Sequence, residues 1–242
     1  IRLSLVGSEM CIRDRPLARY VRSLPDVCGV DLLAHEQYGG YLRGRSVYEQ
    51  VLDLDRMELH SMFTETKSFS LPDHDPLIDI FGHYGLIVTL LSDKEGWFES
   101  NLVYTANVAH PCEVVTIPVR PPGDYEGHVT TFYLETFREQ MFSETPACPP
   151  EDDTLKWLKP KPSDVLAGEN LLTAAGVNPQ RCVLIHPGSG GLGKCWPLER
   201  FERLSRRLSS AGWDVAMVAG PAEMERFEDQ IERLHTQLPV IK

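Results

Sequence analysis

The chain has 242 residues, 42% hydrophobic and 24% charged, which excludes a disordered polypeptide and leaves room for one large domain or two modest ones. Its net charge of −11 excludes a general nucleic-acid binder, which would carry a basic footprint. The acidity lies in residues 1–180, with fifteen Lys or Arg against twenty-seven Asp or Glu, whereas residues 181–242 hold nine against eight.

The first stretch, SLVGSEMCIRDR (4–15), has no clean helix or strand period and resembles a translated sequencing-library adapter, so the native frame is expected to begin near Pro16. LARYVRSL then reads as a short amphipathic helix, PDVCG as a turn and VDLLA as a strand. YGGYLRG turns into a short helix, and a second strand falls around Val51–Leu54. MELHSMFTET has an approximate helical stripe, while DPLIDIFG and LIVTLLS read as buried strands or a strand with a short connector. EGWFESNLVYTA has moderate helical character, EVVTIPV is a strand stopped by PPGD, and residues 128–142 form a helix. The proline-rich, acidic TPACPPEDD and the following KWLKPKPSD fit a domain boundary. SDVLAGENLLTAAGV is a helix with Asp164 as candidate cap and Gly176 as terminator.

The last section gives the clearest pattern. CVLIH reads as a buried strand, HPGSGGLGK as a loop and PLERFERLSRRLSSAG as a helix with Leu198, Phe201, Leu204, Leu208 and Ala211 on its apolar face. WDVAMVAG is the next strand and PAEMERFEDQIERLH the next helix, and LPVIK begins another apolar strand. Strand, helix, strand, helix at this spacing predicts parallel strands with right-handed crossovers. The expected domains are 16–155, lacking its first strand and so leaving a sheet edge unpaired, a linker and helix over 156–180, and a truncated domain over 181–242.

Six scattered cysteines without CxxC spacing suit a reducing compartment, and Cys195 reads as a small filler before tryptophan rather than a reactive thiol. No run approaches the length of a membrane span, no secretory signal is visible, and no metal-ligand spacing occurs, so no metal site is expected.

The glycine-rich loop sits where a parallel sheet presents ligands and where the next helix offers unpaired N–H groups. Gly188, Gly190, Gly191 and Gly193 let a ligand approach the main chain, Ser189 adds a hydroxyl, and Lys194 places an ammonium beside the helix start. The pattern describes a phosphate site, against the plain alternative of a glycine turn with a solvated lysine. Cys195 and Trp196 follow the lysine, so the P-loop hydroxyl is missing, and the dinucleotide spacing is absent too. Glu223, in GPAE after the next strand, fits either a ribose diol or the favourable charge of a first helical turn. His186, closing the strand, reads as a hydrogen-bonded core or rim residue ahead of a catalytic acid or base.

The run HPGSGGLGKCWPLERFERLSRRLSSAGWDVAMVAGPAE resembles the donor-domain signature of glycosyltransferase family 9, the ADP-heptose:lipopolysaccharide heptosyltransferase-like proteins. DLLAHEQYGGYLRG, VLDLD and the EVVTIPV strand resemble its first domain more loosely. The resemblance implies an α/β protein of GT-B type with two Rossmann-like domains, both incomplete in this chain. It implies transfer of a heptose-like sugar from a nucleoside-diphosphate donor such as ADP-heptose to a glycan or lipid-linked acceptor such as lipopolysaccharide core. Gly188, Ser189, Gly190, Gly191 and Lys194 would then hold the donor phosphates and Glu223 the ribose. No separate cofactor is implied. The setting implied is cytoplasmic, at the inner membrane face, with peripheral contact to a membrane-anchored acceptor.

The family's G-x-[LI]-G-D loop, whose aspartate is the catalytic base, would precede Pro16; Asp14 does not match it. Its D-[ST]-G-x-x-H segment would follow Lys242. The expectation is therefore a fragment that is inactive alone, taken from an enzyme. Rival readings are a nucleotide-sugar epimerase, a transferase of another family, or a nucleotide-binding module without chemistry.

Overall fold

The computed structural model describes residues 2–6, 15–142, 158–188, 192–220, 224 and 239–241, with backbone alone for 2–6 and Leu192. It forms two compact units, residues 1–159 and 160–242.

The first unit is built on a five-stranded parallel sheet of order β3-β2-β1-β4-β5. Its strands are β1 (Arg2–Val6), β2 (Gly29–Ala34), β3 (Val51–Asp53), β4 (Leu86–Thr89) and β5 (Glu113–Thr116). This is the doubly wound order, in which ligands bind beyond the carboxyl ends of the strands. Inner strands covered on both faces need continuous apolar runs, and β4 meets that with LIVT. One face packs Val30, Leu32 and Val88 against α1 (Arg15–Arg22) and α5 (Val129–Met141) through Leu17, Val21, Tyr133 and Phe137. The other packs Leu33 and Ile87 against α3 (Pro76–Phe81) and α4 (Trp97–Ala106) through Phe81, Phe98 and Leu102. A short helix, α2 (Glu36–Gly39), follows β2. Asp31, 1% exposed on β2, accepts hydrogen bonds from the Gln50 N–H at 3.1 Å and the Tyr84 hydroxyl at 3.0 Å, which satisfies a carboxylate inside the sheet.

Three expectations are corrected. The sheet does not lack its first strand: Arg2–Val6 stands at its centre, pairing Leu3 with Val30 of β2 and with Leu86 of β4. A slot between two parallel strands asks only for a short extended segment, so the absence of an amphipathic period did not exclude one. DPLIDIFG is a helix, because Pro76 takes the first turn, Asp75 accepts from the Leu77 N–H at 2.9 Å, and Leu77 and Phe81 share the buried side. MELHSMFTET forms 3₁₀ turns, with Leu59–Phe63 the longest, instead of an α-helix. Its backbone is held by Asn101 of α4, whose Nδ2 donates to the carbonyls of Met62 and Thr64, both at 2.9 Å.

Helix α4 begins where the Asp93 carboxylate accepts from the N–H groups of Phe98 at 2.6 Å, Glu95 at 2.9 Å and Trp97 at 3.1 Å. The Phe98 bond, foremost, holds that carboxyl below its ordinary range despite an opposing desolvation. Burial pushes the Cys112 thiol up to about 11, with the neighbouring Glu113 charge adding to it, so this thiol is inert at neutral pH.

The second unit contains α6 (Pro162–Ala174), β6 (Cys182–Ile185), α7 (Leu198–Ser210), β7 (Asp214–Val218) and β8 (Val240–Ile241), with its sheet parallel and ordered β6-β7-β8. Helix α6, expected in a linker, belongs to this unit: Val177 just after it is buried and the Asn178 N–H donates to Asp214 at 2.8 Å. Asp164 holds the start of α6 from inside, accepting from the Lys161 N–H at 2.8 Å. Strand β6 is not buried throughout, since Leu184 is 52% exposed on what is an edge strand among the described residues. The buried side of α7 runs through Leu198 and Ser205, with Phe201 and Leu208 half-buried and Leu204 facing solvent.

Both helices end in left-handed glycines, Gly176, read from sequence as a terminator, at φ +75° and Gly212 at φ +88°. Trp213 donates back to the Leu208 carbonyl at 3.1 Å, closing the end of α7. Gly212→Ala is expected to cost about 1–2 kcal/mol, because a Cβ in that backbone region meets the following carbonyl, and thermal unfolding would read it directly.

Candidate functional site

The glycine loop leaves the carboxyl end of β6, the edge at which β7 also ends. Ile185 pairs with Met217 and Met217 in turn with Val240, so the three strand ends lie side by side. His186, exposed at this edge, joins the first two: its Nδ1 lies 3.0 Å from the Val218 carbonyl. A carbonyl only accepts, so Nδ1 carries the proton and Nε2 points its lone pair elsewhere when the ring is neutral. Of the core and rim roles expected for His186, its exposure and this hydrogen bond give it the rim. That bond ties the first residue of the loop to the strand that leads into GPAE.

Gly188 is half-buried in the loop. Lys194 closes the 3₁₀ turn Leu192–Lys194 and is exposed, four residues ahead of Leu198 at the start of α7. The turn thus ends shortly before the amino end of a thirteen-residue helix, where the first N–H groups lack intrahelical partners. Such a place favours an anion. Ser189, Gly190, Gly191 and Glu223 lie outside the described residues. Gly220 and Met224, on either side of 221–223, are joined by the Met224 N–H donating to the Gly220 carbonyl at 3.0 Å. Trp196 packs edge-on against Phe201, ring centroids 5.0 Å apart, fixing the chain's entry into α7. Cys195 is half-buried. Among the described residues, no group of three or more His, Cys, Asp or Glu is placed to hold a metal, and no helix is long and apolar enough to cross a membrane.

The first unit has its own polar cluster at its carboxyl edge, which motif reading did not single out. His35, directly after β2, places Nδ1 2.8 Å from an Asp55 carboxylate oxygen. Asp53, ending β3, accepts from the Glu36 N–H at 3.3 Å, and Arg43 grips both Glu36 oxygens at 2.5 and 2.6 Å. This grip raises the Arg43 pKa above its ordinary value, foremost through the Glu36 hydrogen bond. The signal in sequence was a His-Glu pair after one strand and Asp-x-Asp after the next. Sited beyond parallel strand ends, these groups can accept hydrogen bonds from ligand hydroxyls.

The profile of glycosyltransferase family 9 (heptosyltransferase) matches residues 151–240, which include the glycine loop and GPAE. A glycosyl transferase family 9 structure from Veillonella parvula superposes with a TM-score of 0.66 at 11% identity, over 99% of this chain and 68% of that one. The E. coli ADP-heptose lipopolysaccharide heptosyltransferase II gives 0.64 at 14% identity, over 98% and 70%. E. coli heptosyltransferase WaaC with ADP-2-deoxy-2-fluoro heptose gives 0.55 at 13%, over 100% and 76%. No curated protein sequence matches significantly. Paired parallel sheets with flanking helices, this structural likeness and the matched segment give the chain a GT-B-like fold and family-level similarity to the glycosyltransferase family 9 heptosyltransferases.

Proposed function

We propose that the chain belongs to a glycosyltransferase that moves a heptose-like sugar from a nucleoside-diphosphate donor, ADP-heptose being the natural candidate, to a glycan acceptor such as lipopolysaccharide core. The observation that carries this reading is the family match over residues 151–240, together with a glycine loop at the carboxyl edge of β6 tied by His186 to the end of β7. In the reaction, the bond between the anomeric carbon and the donor phosphate oxygen breaks as an acceptor hydroxyl oxygen bonds to that carbon. The acceptor proton passes to a base, and the diphosphate leaves with its added charge. Gly188, Ser189, Gly190 and Gly191 are assigned to that diphosphate through their backbone amides. Lys194 supplies a cation where charge grows in the transition state. Glu223 is assigned to the ribose hydroxyls, since a carboxylate at the next strand's end accepts from a vicinal diol. No described residue is assigned as the base.

Calorimetric titration with ADP, UDP and GDP sugars tests the reading, with ADP-sugar binding as the expected result. Glu223→Ala should weaken ADP binding by about tenfold, the loss of one or two charge-assisted hydrogen bonds, with the circular dichroism spectrum unchanged. Equal affinity in the variant would remove Glu223 from the site, and failure of every nucleotide to bind would sink the proposal.

A further inference from the structure

His186 has a second ring nitrogen that its bond to Val218 does not engage. The Val218 carbonyl accepts from Nδ1–H at 3.0 Å whether the ring is neutral or charged, because imidazolium donates from both nitrogens. Only Nε2 can therefore gain or lose the proton, on a side chain exposed just past the end of β6. The backbone that follows is short of donors. Pro187 is buried and has no N–H, so Gly188 brings the next amide. Two residues span at most about 7 Å, so an anion held by the Gly188 amide lies close to the imidazole.

We propose that His186, as the imidazolium, is a second cationic ligand of the donor diphosphate, donating from Nε2. The inference rests on the transferase reading and adds proton uptake to it. A diphosphate esterified at both ends carries two negative charges, and Lys194 supplies one positive charge. With Nδ1–H committed to Val218, a neutral ring would set the Nε2 lone pair against phosphate oxygens, whereas the charged ring donates a charge-assisted bond. Binding therefore takes a proton from solvent, and affinity rises as pH falls through the range where imidazoles ionise. The other charged or titratable residues described at this end are Lys194 and Cys195 before α7 and Glu199 and Arg200 in its first turn. The ends of β7 and β8 bring only apolar residues and Gly220, with Glu223 and Lys242 following in sequence outside the described residues.

The test is calorimetric titration of the full chain with ADP-glucose from about pH 8 to about pH 5.5, in two buffers of different ionisation enthalpy. An ADP-sugar serves because its diphosphate is esterified at both ends, unlike a terminal phosphate, whose second pKa is about 6. Expected is an affinity about tenfold higher at the acidic end. Midway, about half a proton should be taken up per ligand bound, the amount that a tenfold linkage requires. His186→Gln keeps an uncharged donor, and should bind at the parent's alkaline affinity at every pH without proton uptake. Circular dichroism checks its fold, and His186→Asn is the second variant. ADP-glucose binding with no pH dependence and no proton uptake overturns the proposal and leaves the transferase reading in place. A pH dependence retained in both variants also overturns it, since the proton would then sit elsewhere. No binding of ADP-glucose at any pH overturns it too, and the series of nucleotide sugars then decides whether the transferase reading falls with it.

Discussion

On the proposed donor role of the glycine loop, Lys194→Ala is expected to lower sugar transfer by about a hundredfold to a thousandfold. The side chain is exposed, and the turn that ends at Lys194 leads within four residues into α7. Backbone amides of a helix end bind a diphosphate in the ground state and as it departs. An ammonium adds most where negative charge is growing, so its loss should fall mainly on kcat and less on KM. Lys194→Arg should recover part of the rate, since the charge is kept while the point geometry is not. Steady-state kinetics with an ADP-sugar, beside calorimetry with ADP, separate the two effects. Unchanged kinetics in a folded Lys194→Ala protein would take the lysine out of the donor site.

The parts of the fold legible from sequence are those governed by local rules. Strands LIVT and DVAMV announce themselves as apolar runs, and Gly176 and Gly212 end their helices because only glycine is at ease at φ +75° and +88°. Most readings that failed depended on partners distant in the chain; DPLIDIFG is the exception, since its Asp75 cap and Pro76 are local. Arg2–Val6 becomes a strand because β2 and β4 flank an open position. On α7 the buried side keeps Leu198, Phe201 and Leu208 but takes Ser205 in place of Leu204, a choice that apolar counting along one helix cannot fix. The candidate site divides in the same way. Its glycines and lysine are visible as a motif, whereas the bond from His186 to Val218 and the pair His35–Asp55 exist only through strand register.

Asn101→Ala is expected to destabilise the first unit by about 2–3 kcal/mol, the cost of leaving two backbone acceptors without their donor. Asn101 is fully buried, and its Nδ2 is shared between the Met62 and Thr64 carbonyls. Between those carbonyls Phe63 stacks on Phe98, ring centroids 4.6 Å apart, so the two bonds also set an aromatic contact. The Asn101 Oδ1 itself is buried without a hydrogen-bond partner among the described residues, and removing it offsets part of the loss. Denaturant unfolding gives the total, and faster amide exchange confined to residues 59–68 would locate it. Asn101→Asp separates donation from packing. At neutral pH it sets a carboxylate against two carbonyls in a dry site, at about 3–5 kcal/mol. Burial and those carbonyls would raise the introduced carboxyl's pKa above its unfolded value near 4, so the unfolded chain gives up its proton first. The penalty therefore grows as pH rises through that range and shrinks as pH falls, when the neutral acid can donate to one carbonyl again. A pH-independent gap between the aspartate variant and the parent would show that Asn101 acts by shape alone, and the two carbonyls would then need another account of how 3₁₀ turns replace a helix.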